Sequence, residues 1–238
     1  EILKASHSIQ TNAKILNRLD LLSSFATISL TNHYVRPKLT KKAILEIKAG
    51  RHPVVEQLIP ATDRFIPNDT KMDISSSQIH LITGPNMAGK STYLRQGGLL
   101  VLMSQIGSFI PANKATIGVV DRLFTRVGAS DNLAGGESTF LVEMNEAGNI
   151  LNNATPKSLI LLDEIGRGTA TFDGLSLAWA ITEFLHNHSS VGARTLFATH
   201  YHELTELENK LKRLKNYKAA VKEFDDKIIF LRTIIPGI

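Results

Sequence analysis

The 238-residue chain has no cysteine. That absence excludes disulfides, thiolate nucleophiles and cysteine-bound zinc, leaves histidine and carboxylates as metal ligands, and suits a reducing compartment. Long apolar runs are also missing. The longest, Gly97 to Ile110, is cut by Ser104, Gln105 and Ser108 and falls short of the roughly 20 residues a membrane span requires. No basic stretch leading into an apolar one opens the chain, and residue 1 is Glu rather than Met. The expectation is a processed or excised piece of a longer protein, with no leader and no membrane partner. There is no internal repeat and no low-complexity tract. Charge of one sign is scarcely in excess, with 27 Lys and Arg against 22 Asp and Glu and a net of +5. This is compatible with anionic ligands without naming one. The basic stretch Asn209 to Lys222 reads as a solvated helix end and loop rather than a nucleic-acid patch.

With 43% apolar and 21% charged residues, a globular protein follows, and the length favours one large domain with an appended element. Ile9, Ala13, Leu16, Leu19, Leu22 and Phe25 recur at three- and four-residue steps, which predicts an amphipathic helix from His7 to about Leu30. Pro37 ends it. Residues 37–78 read as a small, mostly antiparallel β lobe with runs at Ile44 to Lys48 and Arg51 to Leu58. From residue 79 short apolar runs alternate with helical patterns. The strands expected are Ile79 to Thr83, Leu159 to Asp163 and Thr195 to Thr199; the helices are Lys90 to Phe109, Ser138 to Asn153 and Gly174 to His186. The run Leu159-Ile160-Leu161-Leu162 lacks polar alternation, as strands covered on both faces of a parallel sheet do, so the fold class is α/β. Ala115 to Val120 and Arg122 to Val127 read as a β pair, and Ala219 to Phe224 with Lys227 to Ile234 as a final hairpin.

Gly84-Pro85-Asn86-Met87-Ala88-Gly89-Lys90-Ser91 fits G-x-x-x-x-G-K-[ST], directly after one predicted strand and before a long predicted helix. Glycines let the backbone curl so that its N–H groups face a phosphate, and the helix adds its positive dipole end. Lys90 is then the bridge between the β- and γ-phosphates of ATP, and Ser91 a ligand for Mg²⁺. Within that helix Gly97-Gly98 costs roughly 1 kcal/mol per glycine in propensity, which close packing would explain.

The apolar run Leu159 to Leu162 ends in Asp163-Glu164. Two carboxylates at the end of a buried strand are costly unless a metal or a reaction uses them. Asp163 is expected in the Mg²⁺ shell, and Glu164 to orient or deprotonate the water that attacks the γ-phosphate. His200, after the next apolar strand, reaches the same edge, where its imidazole could sense the γ-phosphate or hold that water. The residues alone leave two other readings of His200 open: an interface histidine, and a metal pair with His202.

Five ordered segments are similar to the MutS family of DNA mismatch repair ATPases: Thr83 to Thr92, Ile117 to Gly128, Gly136 to Met144, Leu162 to Gly174 and Ala198 to His202. Arg51-His52-Pro53-Val54 and Phe65-Ile66-Pro67-Asn68 also resemble family signatures. The resemblance implies a P-loop ATPase of the ABC class, with two nucleotide sites shared between two subunits. It extends the nucleotide-binding set from the loop through Thr92 to Phe65 and Ile66, which would pack on the adenine. It also has Asn86 near the γ-phosphate and Ser138 reaching the nucleotide of the partner chain. By the residues alone, Ser138 is an N-cap and Phe65 a core aromatic. Gly166 to Thr171 resembles the loop that crosses the dimer interface. Departures from the commonest wording are Ala88, Glu137 and Ala170, and the role of Arg232 is left open.

The same resemblance divides the chain into residues 1–36, the end of a lever helix domain, and 37–238, the ATPase domain, stopping before a dimerising helix-turn-helix. It implies ATP and Mg²⁺ as cofactors and three partners: a second MutS-type subunit, mismatched duplex DNA contacted through other domains, and a MutL-type repair ATPase. It also implies the bacterial cytosol as the place of work. Three other readings stand beside this one. A transporter or chromosome-maintenance ABC ATPase lacks support, because Gly136 to Met144 stands where a Leu-Ser-Gly-Gly-Gln element would be. The others are a MutS-like paralogue that does not read mismatches and a nucleotide sensor that hydrolyses almost nothing.

Overall fold

The computed structural model describes residues 2–60, 62–127, 139–224 and 227–238. The strands β4 (Ile79–Thr83), β7 (Leu159–Asp163) and β8 (Arg194–Ala198) are buried along their whole length, as runs without polar alternation require. They form the middle of a six-stranded sheet of order β10-β9-β4-β8-β7-β6, where β6 is Leu123–Arg126, β9 Leu214–Phe224 and β10 Lys227–Pro236. Every pairing in it is parallel except β9 with β10, the hairpin expected at the chain's end. The class is α/β, as the alternation of apolar runs and helices implied.

Helix α3 (Lys90–Gln105) lies between this sheet and a second one. Leu94, Leu100 and Val101 pack in one core with Leu161 and Leu196 of the large sheet and Leu45, Ile47 and Ile117 of the small one. The glycine pair is explained here. A Cβ on Gly98 would stand 2.6 Å from Leu161 Cδ1, and one on Gly97 3.0 Å from Leu196 Cδ1, so the helix approaches the sheet at a distance only glycine leaves unstrained. On the other face α4 (Thr139–Asn153) and α5 (Thr171–Asn187) cover Ile160, Leu162 and Phe197 with Ile150, Ala178 and Leu185.

The small sheet departs from the sequence reading. Its order is β1-β5-β2-β3, with β1 Lys38–Thr40, β2 Ile44–Gly50, β3 Asn68–Asp73 and β5 Lys114–Gly118. The lobe is therefore not confined to residues 37–78, and β1 runs parallel to β5. The β pair expected at Ala115 to Val120 and Arg122 to Val127 does not form: β5 joins the small sheet and β6 the large one beside β7. The reason is local. The Gln105 side chain accepts from Val120 N and donates to Val120 O, taking the bonds a hairpin would use. Arg51 to Leu58 is also not a strand. His52 Nδ1 accepts from Val54 N and Val55 N at 3.3 and 3.2 Å and starts the one-turn helix α2 (Val55–Leu58) after Pro53.

Helix α1 (Ile2–Thr31) spans the predicted amphipathic stretch. Its apolar stripe is open to solvent, with Leu16, Leu19 and Leu22 about 60% exposed. Among the described residues no helix is long and apolar enough to cross a membrane.

Candidate nucleotide site

The loop between β4 and α3 makes a curl that its sequence permits. Gly84 has φ +129° and Gly89, the residue before α3, φ +99°, both in the region that favours glycine. Met87 also has positive φ, +65°, and is 90% exposed. Ala88, where the family resemblance led to a Gly or Ser, is fully buried in the core under the loop. Pro85 and Asn86 are exposed at its crest. Lys90 is 5% exposed, and its Nζ donates to Gly84 O at 2.6 Å and Pro85 O at 3.0 Å, so the ammonium spans the loop from inside. Burial pushes its pKa below the usual lysine range, against the pull of Glu164 and Asp163.

Asp163 ends β7, and β8 lies between β7 and β4, so the acids and the loop share the carboxyl edge of the sheet. Asp163 is buried, and its Oδ1 has no hydrogen-bond partner. Burial holds its carboxyl above the ordinary range, opposed by a hydrogen bond from the Ser91 hydroxyl and by Arg95 and Lys90. An orphaned carboxylate oxygen beside a serine hydroxyl is a hard oxygen donor set, and it fits Mg²⁺.

Glu164 has φ +54°, a strained value for a residue with a side chain, fixed by a bond from its N–H to Ala198 O at 2.9 Å. Its Oε2 accepts from Arg167 Nη1 at 2.7 Å. His200 follows β8 between the loop and the acids; it is exposed, with its ring 4.2 Å from that of Tyr201. His202 begins a 3-10 helix, His202–Asn209, and among the described residues no group of three or more His, Asp or Glu could hold a metal. The metal-pair reading of His200 finds no third ligand there.

A cavity of about 360 Å³ opens beside the loop. Phe65 and Ile66 line it together with Met87, Thr92, Gln96 and Arg232. Sequence reasoning left Arg232 without a role. It sits at a break in the pairing of β10 with β9, with φ +54°, and Asn68 pins that break by donating to Arg232 O at 3.0 Å and accepting from Ile234 N at 2.7 Å. Asn68 stood inside the Phe65 to Asn68 signature, but nothing in spacing pairs it with a residue 164 positions away. Gly136, Glu137 and Ser138 lie outside the described residues.

Comparison with known proteins agrees with the geometry. Residues 80–238 match the family model described as MutS domain V. A DNA mismatch repair protein MutS of Salinibacter ruber is 58% identical over all of this chain, which covers 26% of that protein. Those of Bacteroides thetaiotaomicron and Methanosarcina acetivorans are each 57% identical, over 96% and 98% of this chain. The chain belongs to the MutS family. It spans about a quarter of the length of these MutS relatives. The family match covers the P-loop, Asp163, Glu164, His200 and Arg232, whereas Phe65 and Ile66 precede it and enter only through the full-length relatives.

Proposed function

We propose that this chain is the ATP-binding and ATP-hydrolysing motor of a MutS-type mismatch repair protein, in which nucleotide state governs how DNA-contacting parts elsewhere grip the duplex and form a clamp. The observation that carries the reading is the meeting of Lys90, Ser91 and a partnerless Asp163 oxygen at one sheet edge. In this reading the N–H groups of Asn86 to Gly89 and the start of α3 receive the β- and γ-phosphates. Lys90 leaves the carbonyls of Gly84 and Pro85 for phosphate oxygens. Phe65, Ile66 and Arg232 close on the base. Ser91 and Asp163 hold Mg²⁺, which neutralises charge on the phosphates when bound.

Glu164 orients the attacking water and takes its proton. The water oxygen bonds to the γ-phosphorus, the bond from that phosphorus to the β–γ bridging oxygen breaks, and ADP leaves with that oxygen. To accept the proton, Glu164 must exchange its contact with Arg167 for the water. His200 holds the γ-phosphate or the water from the neighbouring strand, and Ser138 completes the site of a second subunit. We take residues 1–36 as the end of a lever that passes the change on, and 37–238 as the ATPase domain. A second MutS-type subunit, mismatched duplex and a MutL-type ATPase are the partners, and the bacterial cytosol is the setting.

The test is steady-state hydrolysis per chain with Mg²⁺ over a wide range of protein concentration. Activity per chain should rise with concentration, and Glu164→Ala should bind ATP but lose at least about a hundredfold in turnover. Constant, nonzero activity per chain would remove the shared site. Normal turnover in Glu164→Ala would remove the base.

A further inference from the structure

Glu143 is an acid with no role in the reading above, yet it touches the loop that carries Glu164. It stands in the second turn of α4 and is 2% exposed. One carboxylate oxygen accepts the backbone N–H of Gly166, and the other lies 3.4 Å from Arg126 Nη2. Gly166 is two residues beyond Glu164. Its carbonyl accepts the Tyr201 hydroxyl at 3.0 Å, and Tyr201 is the neighbour of His200. Gly166 is therefore gripped on both sides, by an acid from α4 and a phenol from the segment after β8.

The grip is also steric. Gly166 has φ +88°, and a Cβ there would stand 2.6 Å from Gly174 Cα at the start of α5. Two residues on, a Cβ at Gly168 would meet Phe140 of α4 at 3.2 Å. The path from Glu164 to Gly168 has little freedom: it leaves β7 through a strained Glu164 and is then held by α4, α5 and Tyr201. A buried carboxylate is expensive, and Arg126 offsets that cost. If packing alone were needed, an apolar side chain would serve at lower cost. The feature that needs an acceptor is the Gly166 N–H, which is otherwise an unpaired buried donor.

We infer that Glu143 is a positioning residue for Glu164, fixing through Gly166 the geometry at which that acid meets the attacking water. The inference rests on Glu164 being the base. It extends that reading by making the placement of α4 a condition of catalysis, since a shift of α4 moves Gly166 and with it Glu164.

The experiment uses the full-length protein that carries this chain. Three quantities are read: Mg²⁺-ATP turnover at saturating ATP, ATP affinity by displacement of a fluorescent nucleotide, and amide exchange of a peptide spanning residues 164–168. Glu143→Ala should lower turnover by about 10- to 100-fold and leave affinity within about threefold, the split expected of a displaced catalytic group. Exchange at Gly166 should speed up by about tenfold or more. Glu143→Gln keeps an acceptor oxygen and should recover turnover to within about threefold of wild type. Tyr201→Phe should lower turnover less, and its effect on top of Glu143→Ala should be smaller than alone, because both groups hold one glycine.

Wild-type turnover in Glu143→Ala, or unchanged exchange at Gly166, overturns the inference. So does a proportional fall of turnover and affinity together with an unfolding midpoint that drops equally in Glu143→Gln. Should Glu143→Ala not fold, Glu143→Leu, which fills the site without an acceptor for the Gly166 N–H, decides: wild-type turnover or unchanged exchange at Gly166 in it overturns the inference. Normal turnover in Glu164→Ala instead sinks the base, and the exchange data then judge the grip on Gly166 by themselves.

Discussion

The two ends of the large sheet both bury polar groups, and they differ in what those groups face. At the amino end, Gln78 donates to Leu185 O and Ala193 O, and Arg194, fully buried, donates to Ile44 O at 2.7 Å and Lys157 O at 3.0 Å. These bonds end on backbone carbonyls and tie the sheet to its surroundings, although Gln78 Oε1 and Arg194 Nε are themselves buried without a partner. At the carboxyl end, Lys90 and Asp163 are each held away from their ordinary pKa by burial, an Asp163 oxygen has no partner, and Met87, Glu164 and Arg232 carry positive φ. Unpaired burial is common to both ends; what sets the carboxyl end apart is backbone strain together with a buried carboxylate that faces Lys90 and Ser91.

The sharpest way to break this contrast is to remove one buried cation from each end. Lys90→Ala should cost at least about a hundredfold in ATP turnover, because in the proposed reading it removes the ammonium that would meet phosphate charge. The unfolding midpoint should hold or rise, since burial disfavours the charged lysine in the folded chain. Arg194→Ala should do the reverse. Ile44 O and Lys157 O lose their donor and a cavity opens, which costs about 3 kcal/mol in denaturant unfolding and leaves turnover per folded chain within about twofold. Loss of stability in the first variant and loss of turnover in the second would dissolve the distinction between the ends.

What the sequence made legible follows the same division. The carboxyl edge was readable because its parts are contiguous: glycines, Lys90 and Ser91 in one loop, Asp163 and Glu164 at the end of one apolar run. Arg232 and Asn68 were not, because their meeting depends on β3 and β10 arriving at one place from 164 positions apart. The small sheet was misread for a related cause. Its strand β5 is inserted between β1 and β2 from beyond α3, and no local pattern records that insertion. The false strand at Arg51 to Leu58 shows the limit of propensity, since one imidazole bond pair turns an extended-looking run into a helical turn.

Acid separates the ends by a further route. His80, near the amino end of β4, stacks on Tyr217 at 4.3 Å and receives or gives a hydrogen bond to Ser77 Oγ at 2.9 Å. Burial pushes its pKa down to about 3, against the backbone of Lys71 and the charge of Asp73. The folded chain therefore keeps His80 neutral while the unfolded chain protonates near 6.5, so this group withdraws stability as pH falls from about 6.5 toward about 3. The loss is on the order of a few kcal/mol across that window. His80→Leu should flatten the pH dependence of unfolding there. An unchanged slope would mean that His80 is not the group that titrates.

The smallest effect tests packing rather than charge, in the two helices on opposite faces of the sheet. Gly148 of α4 has nothing within 4 Å of where a Cβ would stand, whereas at Gly98 of α3 that atom meets Leu161 Cδ1 at 2.6 Å. Gly148→Ala should therefore return the helix-propensity difference, a gain of about 0.5–1 kcal/mol. The same gain at Gly98 is opposed by the displacement of Leu161 in a dense core, so Gly98→Ala should be neutral or destabilising by up to about 1 kcal/mol. The argument requires the two substitutions to differ in that order. Equal stabilisation in both would mean that Leu161 moves aside freely and that close approach of α3 to the sheet is not what keeps glycine in that helix.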